Sequence, residues 1–115
     1  MFDYRRELHG TVTILRLRGA LDALSAPELK REIDALVAEK RSPVVLDLAG
    51  LELIDSSGVG AIVSLFKRLR QLSPPGEVKI AELRGQPSQI FQLLRLDRAF
   101  DICATVAEAI ARLSK

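Results

Sequence analysis

The residues best suited to chemistry lie together at positions 55–58, which read Asp-Ser-Ser-Gly. A stretch with the apolar spacing of one helical face follows them: Val59, Ile62, Val63, Phe66 and Leu69. The first backbone N–H groups of a helix lack intrahelical acceptors and carry partial positive charge, so anions are stabilised there. Asp55 or Ser56 could simply cap this helix, or Ser56 could accept a phosphate delivered by another protein. The residue pattern alone leaves both interpretations open.

Two glycines, Gly58 and Gly60, fall in the first turns of the same predicted helix. Glycine inside a helix costs about 1 kcal/mol relative to alanine, because its backbone loses more freedom. We therefore expect another stretch of backbone to approach closely at this turn.

A catalytic role for Ser56 or Ser57 would require a general base. His9 is the only histidine of the chain, and it lies in a predicted hairpin far from these serines in the sequence. The Gly-x-Ser-x-Gly pattern of a nucleophile elbow is also absent. We therefore predict no catalytic residue and no enzymatic activity.

The sequence favours neither a cofactor nor a metal. The glycines at positions 58 and 60 lie inside the predicted helix rather than before it, and no Lys-Ser or Lys-Thr pair follows, unlike a phosphate-binding loop. Carboxylates at Asp22, Asp47 and Asp55 match no metal-ligand spacing, and we expect Asp47 to face solvent from its strand.

Composition restricts the class of protein further. At 115 residues the chain is predicted to form one domain, residues 1–115. The net charge is only +2 and no block of like charges occurs, which argues against direct nucleic-acid binding. A lone Cys103 cannot form an internal disulfide. With no apolar run long enough to span a membrane, these features predict a cytoplasmic protein.

The elements that must position residues 55–58 follow from the hydrophobic periodicity. Strands are predicted at residues 2–8, 11–18, 44–49 and 77–83, and residues 100–103 are predicted to form a short strand or an extended piece. Helices are predicted to begin near residues 25, 56, 87 and 105. This order predicts an α/β fold, with a mixed and mostly parallel sheet of four to five strands and about four helices mainly on one face.

Three local expectations bear on the site. His9 and Gly10 should form the turn of the first hairpin. Residues 19–22 should break the second strand and leave Asp22 exposed in a loop. Ser25 should then cap the first helix, with Glu28 completing a capping box.

Residues 54–60, Ile-Asp-Ser-Ser-Gly-Val-Gly, together with the preceding strand at 44–48, resemble the signature of STAS domains. The resemblance is closest to the bacterial anti-sigma factor antagonists. Segments 19–22, 94–100 and 105–109 support it, so the similarity spans essentially the whole chain.

The resemblance implies a binding module and not an enzyme. Such antagonists bind an anti-sigma factor that is also a serine kinase, and thereby release a sigma factor. The kinase phosphorylates the first serine of Asp-Ser-Ser-Gly, here Ser56, and a serine phosphatase resets the cycle. The implied partner-binding residues are Asp22, Asp55, Ser56, Ser57, Gly58 and Gly60. The expected state is a monomer or a weak dimer.

The alternative is a scaffold subunit of a stress-signalling complex or a regulatory module of a transporter. Relatives with these roles often lack the phosphorylatable serine, so an intact Ser56 favours the antagonist. Stable large assemblies on sizing would favour the scaffold.

Overall fold

The structure is a computed structural model that describes residues 1–113, so the last two residues of the predicted domain lie outside it. Five strands are present in the described part: β1 (Phe2–His9), β2 (Val12–Leu21), β3 (Val44–Ile54), β4 (Val78–Ala81) and β5 (Asp101–Cys103). Four α-helices accompany them: α1 (Ala26–Ala38), α2 (Ser56–Arg70), α3 (Gly85–Leu93) and α4 (Val106–Leu113). A short 3-10 helix spans Leu96–Arg98.

All five strands form one sheet in the order β1-β2-β3-β4-β5. β1 is antiparallel to β2, and the remaining neighbours are parallel, which confirms the predicted mixed and mostly parallel sheet. The first hairpin differs by one residue from the prediction. Because His9 pairs with Val12, the connection consists of Gly10 and Thr11, and Gly10 supplies the positive φ of 63°.

The helices cover the two faces of the sheet unequally. Strand residues that alternate inward on one side form a large aliphatic core with α1, α2 and Phe91 of α3; we call this the front face. The opposite back face is covered by α4, whose Ala109 packs over a smaller cluster that contains Val45 and Cys103. The predicted placement of the helices mainly on one face is therefore confirmed.

β2 continues three residues beyond the predicted end at position 18. The pairing with β3 shifts register between Arg16 and Arg18 and again between Gly19 and Ala20, which is how a strand passes an irregularity and resumes. Gly19 has φ of 91°, and a Cβ there would lie 1.9 Å from the carbonyl O of Met1. Glycine thus bends this strand without ending it, and it carries Leu21 into the core.

The expectation that Asp47 faces solvent is wrong. Its side chain lies on the back face, yet Asp47 is only 5% exposed, because Arg16 sits directly opposite on β2 and pairs with its carboxylate. The N–H of Ala49 donates to the other oxygen at 2.9 Å. Glu7 binds the same guanidinium and, with Asp47, raises the pKa of Arg16.

Within residues 1–113, none of the helices combines the length and the apolar character that crossing a lipid bilayer would require.

Candidate functional site

The candidate site lies where the two central parallel strands end. Leu21 and Ile54 are paired at the carboxyl ends of β2 and β3, so the loops that follow them emerge side by side. One loop contains Asp22 and leads to α1, and the other contains Asp55 and leads to α2. In open α/β sheets, the loops beyond the carboxyl ends of the strands are the usual place for binding.

Asp55 holds these two loops together. It is the N-cap of α2, and its Oδ1 accepts a hydrogen bond from the N–H of Gly58 at 3.0 Å. Its Oδ2 accepts from the N–H of Ala23, in the other loop, at 3.2 Å. The capping alternative left open by the sequence is therefore settled for Asp55, and Ser56 is free of that task.

Ser56 is the first residue of α2 and is exposed, whereas Ser57 is half-buried. Neither hydroxyl makes a hydrogen bond to any residue that the structure describes. The N–H groups of the first turn have no intrahelical acceptor, and Asp55 satisfies only that of Gly58. A phosphate added to Ser56 would therefore lie between solvent and the positive end of the helix dipole.

The two glycines of this turn have different environments. At Gly58 a Cβ would lie 2.5 Å from the carbonyl O of Leu21 and 2.7 Å from Cγ1 of Ile54, so α2 packs directly on the strand ends. This confirms the expected close approach at Gly58. At Gly60 a Cβ would meet nothing within 4 Å, so the expectation of a close intramolecular contact there is wrong.

Asp22 is half-buried rather than exposed, because its own loop uses the carboxylate. Oδ1 accepts from the N–H groups of Leu24 at 3.0 Å and Ser25 at 3.1 Å. The bond from the Ser25 N–H is the main cause that lowers the pKa of Asp22. The Ser25 hydroxyl accepts from the N–H of Asp22 at 2.9 Å instead of capping α1, so the predicted capping box with Glu28 is wrong.

We expect Asp22→Ala to lower the melting temperature by several degrees, because the N–H of Leu24 loses its acceptor and the N–H of Ser25 keeps only the main-chain O of residue 22, at 3.2 Å. Asp22→Asn should melt close to the parent chain, since a single oxygen accepts both bonds and an amide retains that oxygen. Thermal melting followed by circular dichroism measures both. An alanine variant as stable as the parent would contradict this role, and an asparagine variant as unstable as alanine would assign the effect to charge.

A further residue of the site had no signal in the sequence. The side-chain amide of Gln86, at the start of α3, accepts from the N–H of Ile54 at 2.9 Å and donates to its carbonyl O at 3.0 Å. These bonds fix the end of β3 immediately before Asp55. The local pattern around Gln86 could not reveal the contact, because its partner lies 32 residues earlier.

His9 and Ser56 lie at opposite ends of the sheet. His9 pairs with Val12 beside the start of β3, and Ser56 follows the end of that strand, which is 11 residues long. His9 therefore cannot act as a base for Ser56. The aspartates do not converge either, since Asp47 is paired with Arg16 on the back face. Among residues 1–113 no three potential metal-ligating side chains cluster.

Comparisons with known proteins agree with this architecture. The sequence model of the STAS domain family matches residues 4–109. BtrV of Bordetella bronchiseptica is 32% identical over 77 residues, which is 67% of this chain and 65% of BtrV, just under two thirds of its length. RsfB of Mycobacterium tuberculosis, an anti-sigma-F factor antagonist, is 26% identical over 102 residues and covers 89% of this chain and 81% of RsfB.

Solved structures share the fold. An anti-sigma factor antagonist from Mycobacterium paratuberculosis superposes with a TM-score of 0.89 at 22% identity, covering 100% of this chain and 96% of that one. The Bacillus cell fate determinant SpoIIAA in its phosphorylated form has a TM-score of 0.73 at 22% identity, covering 96% of this chain and 99% of SpoIIAA. The five-stranded sheet and its helices are thus a recurrent architecture.

Proposed function

We propose a function for this chain from one premise: the chain belongs to the STAS domain family. It acts as an anti-sigma factor antagonist in the bacterial cytoplasm. In its unmodified form it binds an anti-sigma factor that is also a serine kinase, and so frees a sigma factor for transcription. The name of RsfB, which is similar over most of this chain, supports the assignment.

The exposed hydroxyl of Ser56, unbonded within residues 1–113, is the observation that supports this proposal. Ser56 is exposed, it opens a helix whose cap is supplied by Asp55, and its hydroxyl has no other task among the described residues. A kinase can therefore reach the oxygen without unfolding the turn. We assign Ser56 as the phosphate acceptor, and a serine phosphatase would restore the hydroxyl. The chain itself is then a substrate and a binding module rather than an enzyme.

The proposed partner surface surrounds this serine. Asp55, Ser56 and Gly60 are exposed and would contact the partner directly, and Ser57 and Asp22 contribute from half-buried positions. Gly58 is buried against Leu21, so its contribution is to set the position of α2. Leu24 and Leu53 border the two loops with exposed fractions of 92% and 55%, and they give the surface apolar contacts.

Incubation with the cognate kinase and Mg-ATP, followed by peptide mass spectrometry, tests the assignment. We expect one phosphate on Ser56 in the parent chain and in Ser57→Ala, and none in Ser56→Ala. Ser57→Ala is the matched control, because it removes the neighbouring hydroxyl and leaves Ser56 in place. Phosphate confined to Ser57, or a chain that the kinase neither binds nor modifies, would overturn the proposal.

A further inference from the structure

An apolar groove lies at the end of α2 remote from Ser56. The rings of Phe66 and Phe100 stack at its base with centroids 4.1 Å apart, and Val63 and Leu96 form its sides. Its volume is about 250 Å³, and most of its surface is apolar. Such a groove buries apolar side chains well but offers few hydrogen bonds of its own.

The rim of the groove carries two cations that form no ion pair within the described residues. Lys67 and Arg70 line it, both are exposed, and neither pairs with a carboxylate within residues 1–113. The next cation of the same helix is different, since Arg68 pairs with Asp34 of α1. Arg70 lowers the pKa of the Asp101 carboxyl through space, but that carboxylate forms its ion pair with Lys79. The groove therefore combines an apolar base with two exposed cations that form no ion pair within residues 1–113.

The groove and Ser56 share one face of α2. Residues on one face of a helix recur at intervals of three or four. Ser56, Gly60, Val63, Lys67 and Arg70 follow each other at intervals of four, three, four and three. Gly60 belongs to this row and has no side chain, so a partner could approach the backbone of α2 closely there. A partner lying along this face would reach from Ser56 to Arg70, about 21 Å at 1.5 Å per residue.

We propose that this groove is a second anchor for the kinase that acts on Ser56, and that it receives an acidic segment with apolar side chains. This inference rests on the function proposed above. The apolar part of the segment would bury itself against Phe66 and Phe100, and its carboxylates would meet Lys67 and Arg70. Charge complementarity and continuity with the face of Ser56 select this occupant over a second copy of the chain, whose net charge is also positive.

Charge reversal at the rim tests the anchor. The kinase is titrated calorimetrically in the presence of ADP, so that no phosphate transfer occurs. We expect Lys67→Glu/Arg70→Glu to lower the affinity about tenfold at low salt, Lys67→Gln/Arg70→Gln to lower it less, and added salt to reduce both differences. Lys30→Glu/Arg31→Glu, which reverses two exposed cations of α1, is the matched control and should bind within about twofold of the parent chain.

Several outcomes would overturn the anchor. Parent-like affinity of the reversed variant would do so, as would an equal loss in the α1 control, because the effect would then be one of overall charge. A reversed variant that changes its own oligomeric state on sizing would make the groove a contact between copies of this chain. These results are separable from failure of the proposed function, which appears as a parent chain that does not bind the kinase or is not phosphorylated on Ser56.

Discussion

Ser56→Asp should bind the kinase about a hundredfold more weakly than the parent chain, a loss of about 2.8 kcal/mol in binding free energy, and should melt within a few degrees of it. Within the free domain, the added charge lies at the positive end of α2, where it is tolerated, and beside Asp55, which repels it. These two effects partly cancel. Against a partner, the same charge must be desolvated without a counter-charge from this chain.

Ser56→Asn and Ser56→Ala separate charge from shape in this experiment. The amide of asparagine has the size of the carboxylate and no charge, so Ser56→Asn should retain most of the affinity. Ser56→Ala should bind and should not be released by ATP. Calorimetry measures the affinities, and circular dichroism measures the melting temperatures. A Ser56→Asp variant that binds normally, or one whose melting temperature collapses, would contradict the electrostatic switch.

Gly58→Ala should be strongly destabilising, because it adds a methyl group where α2 packs on the strand ends. Its Cβ would lie 2.5 Å from the carbonyl O of Leu21, 2.7 Å from Cγ1 of Ile54 and 2.8 Å from Cγ of Leu21. Backbone cannot yield as a flexible side chain can, so α2 must shift away from the strand ends. Overpacking of this kind costs about 1–3 kcal/mol, and we expect the upper part of that range.

Gly60→Ala is the matched control, with the same change two residues along the same helix. Its Cβ would meet nothing within 4 Å, so the gain in helix propensity should raise the free energy of unfolding by about 0.5–1 kcal/mol. Chemical denaturation of both variants measures the two effects. If Gly58→Ala were also stabilised, the close packing of α2 on the strand ends would be incorrect.

The fold and the start of α2 at residues 55–58 could be predicted because their signals are local. The alternation through β3 and the helical spacing after Gly58 are both present in a short stretch, and the N-cap at Asp55 stands between them. The order of elements then determined the sheet type. The choice of Ser56 over a plain cap needed the family resemblance, because spacing alone left both open.

The unpredicted features have different causes, and the first of them, at Asp47, is a contact between distant parts of the chain. Asp47 is buried because Arg16 lies opposite it on the neighbouring strand β2. Periodicity predicts the face on which a residue lies, but not which residue lies beside it on the next strand. The carboxylate of Asp22 was expected to be free because loops are usually exposed, yet it binds the N–H groups of its own loop. The bulge at Gly19 was predicted as the end of a strand, because glycine occurs both at bulges inside strands and at strand ends.

The two hydrogen bonds from Gln86 to Ile54 also bear on solubility. β3 pairs with β4 only from Val44 to Asp47, so its last seven residues have no strand beside them on that side. An open strand edge is a template on which other chains can add and aggregate. The amide of Gln86 occupies both main-chain groups of Ile54, as a neighbouring strand would, and α3 lies along the same edge. This glutamine thus leaves Ile54, the last residue of the strand that leads to Ser56, no free main-chain group on which a further strand could add.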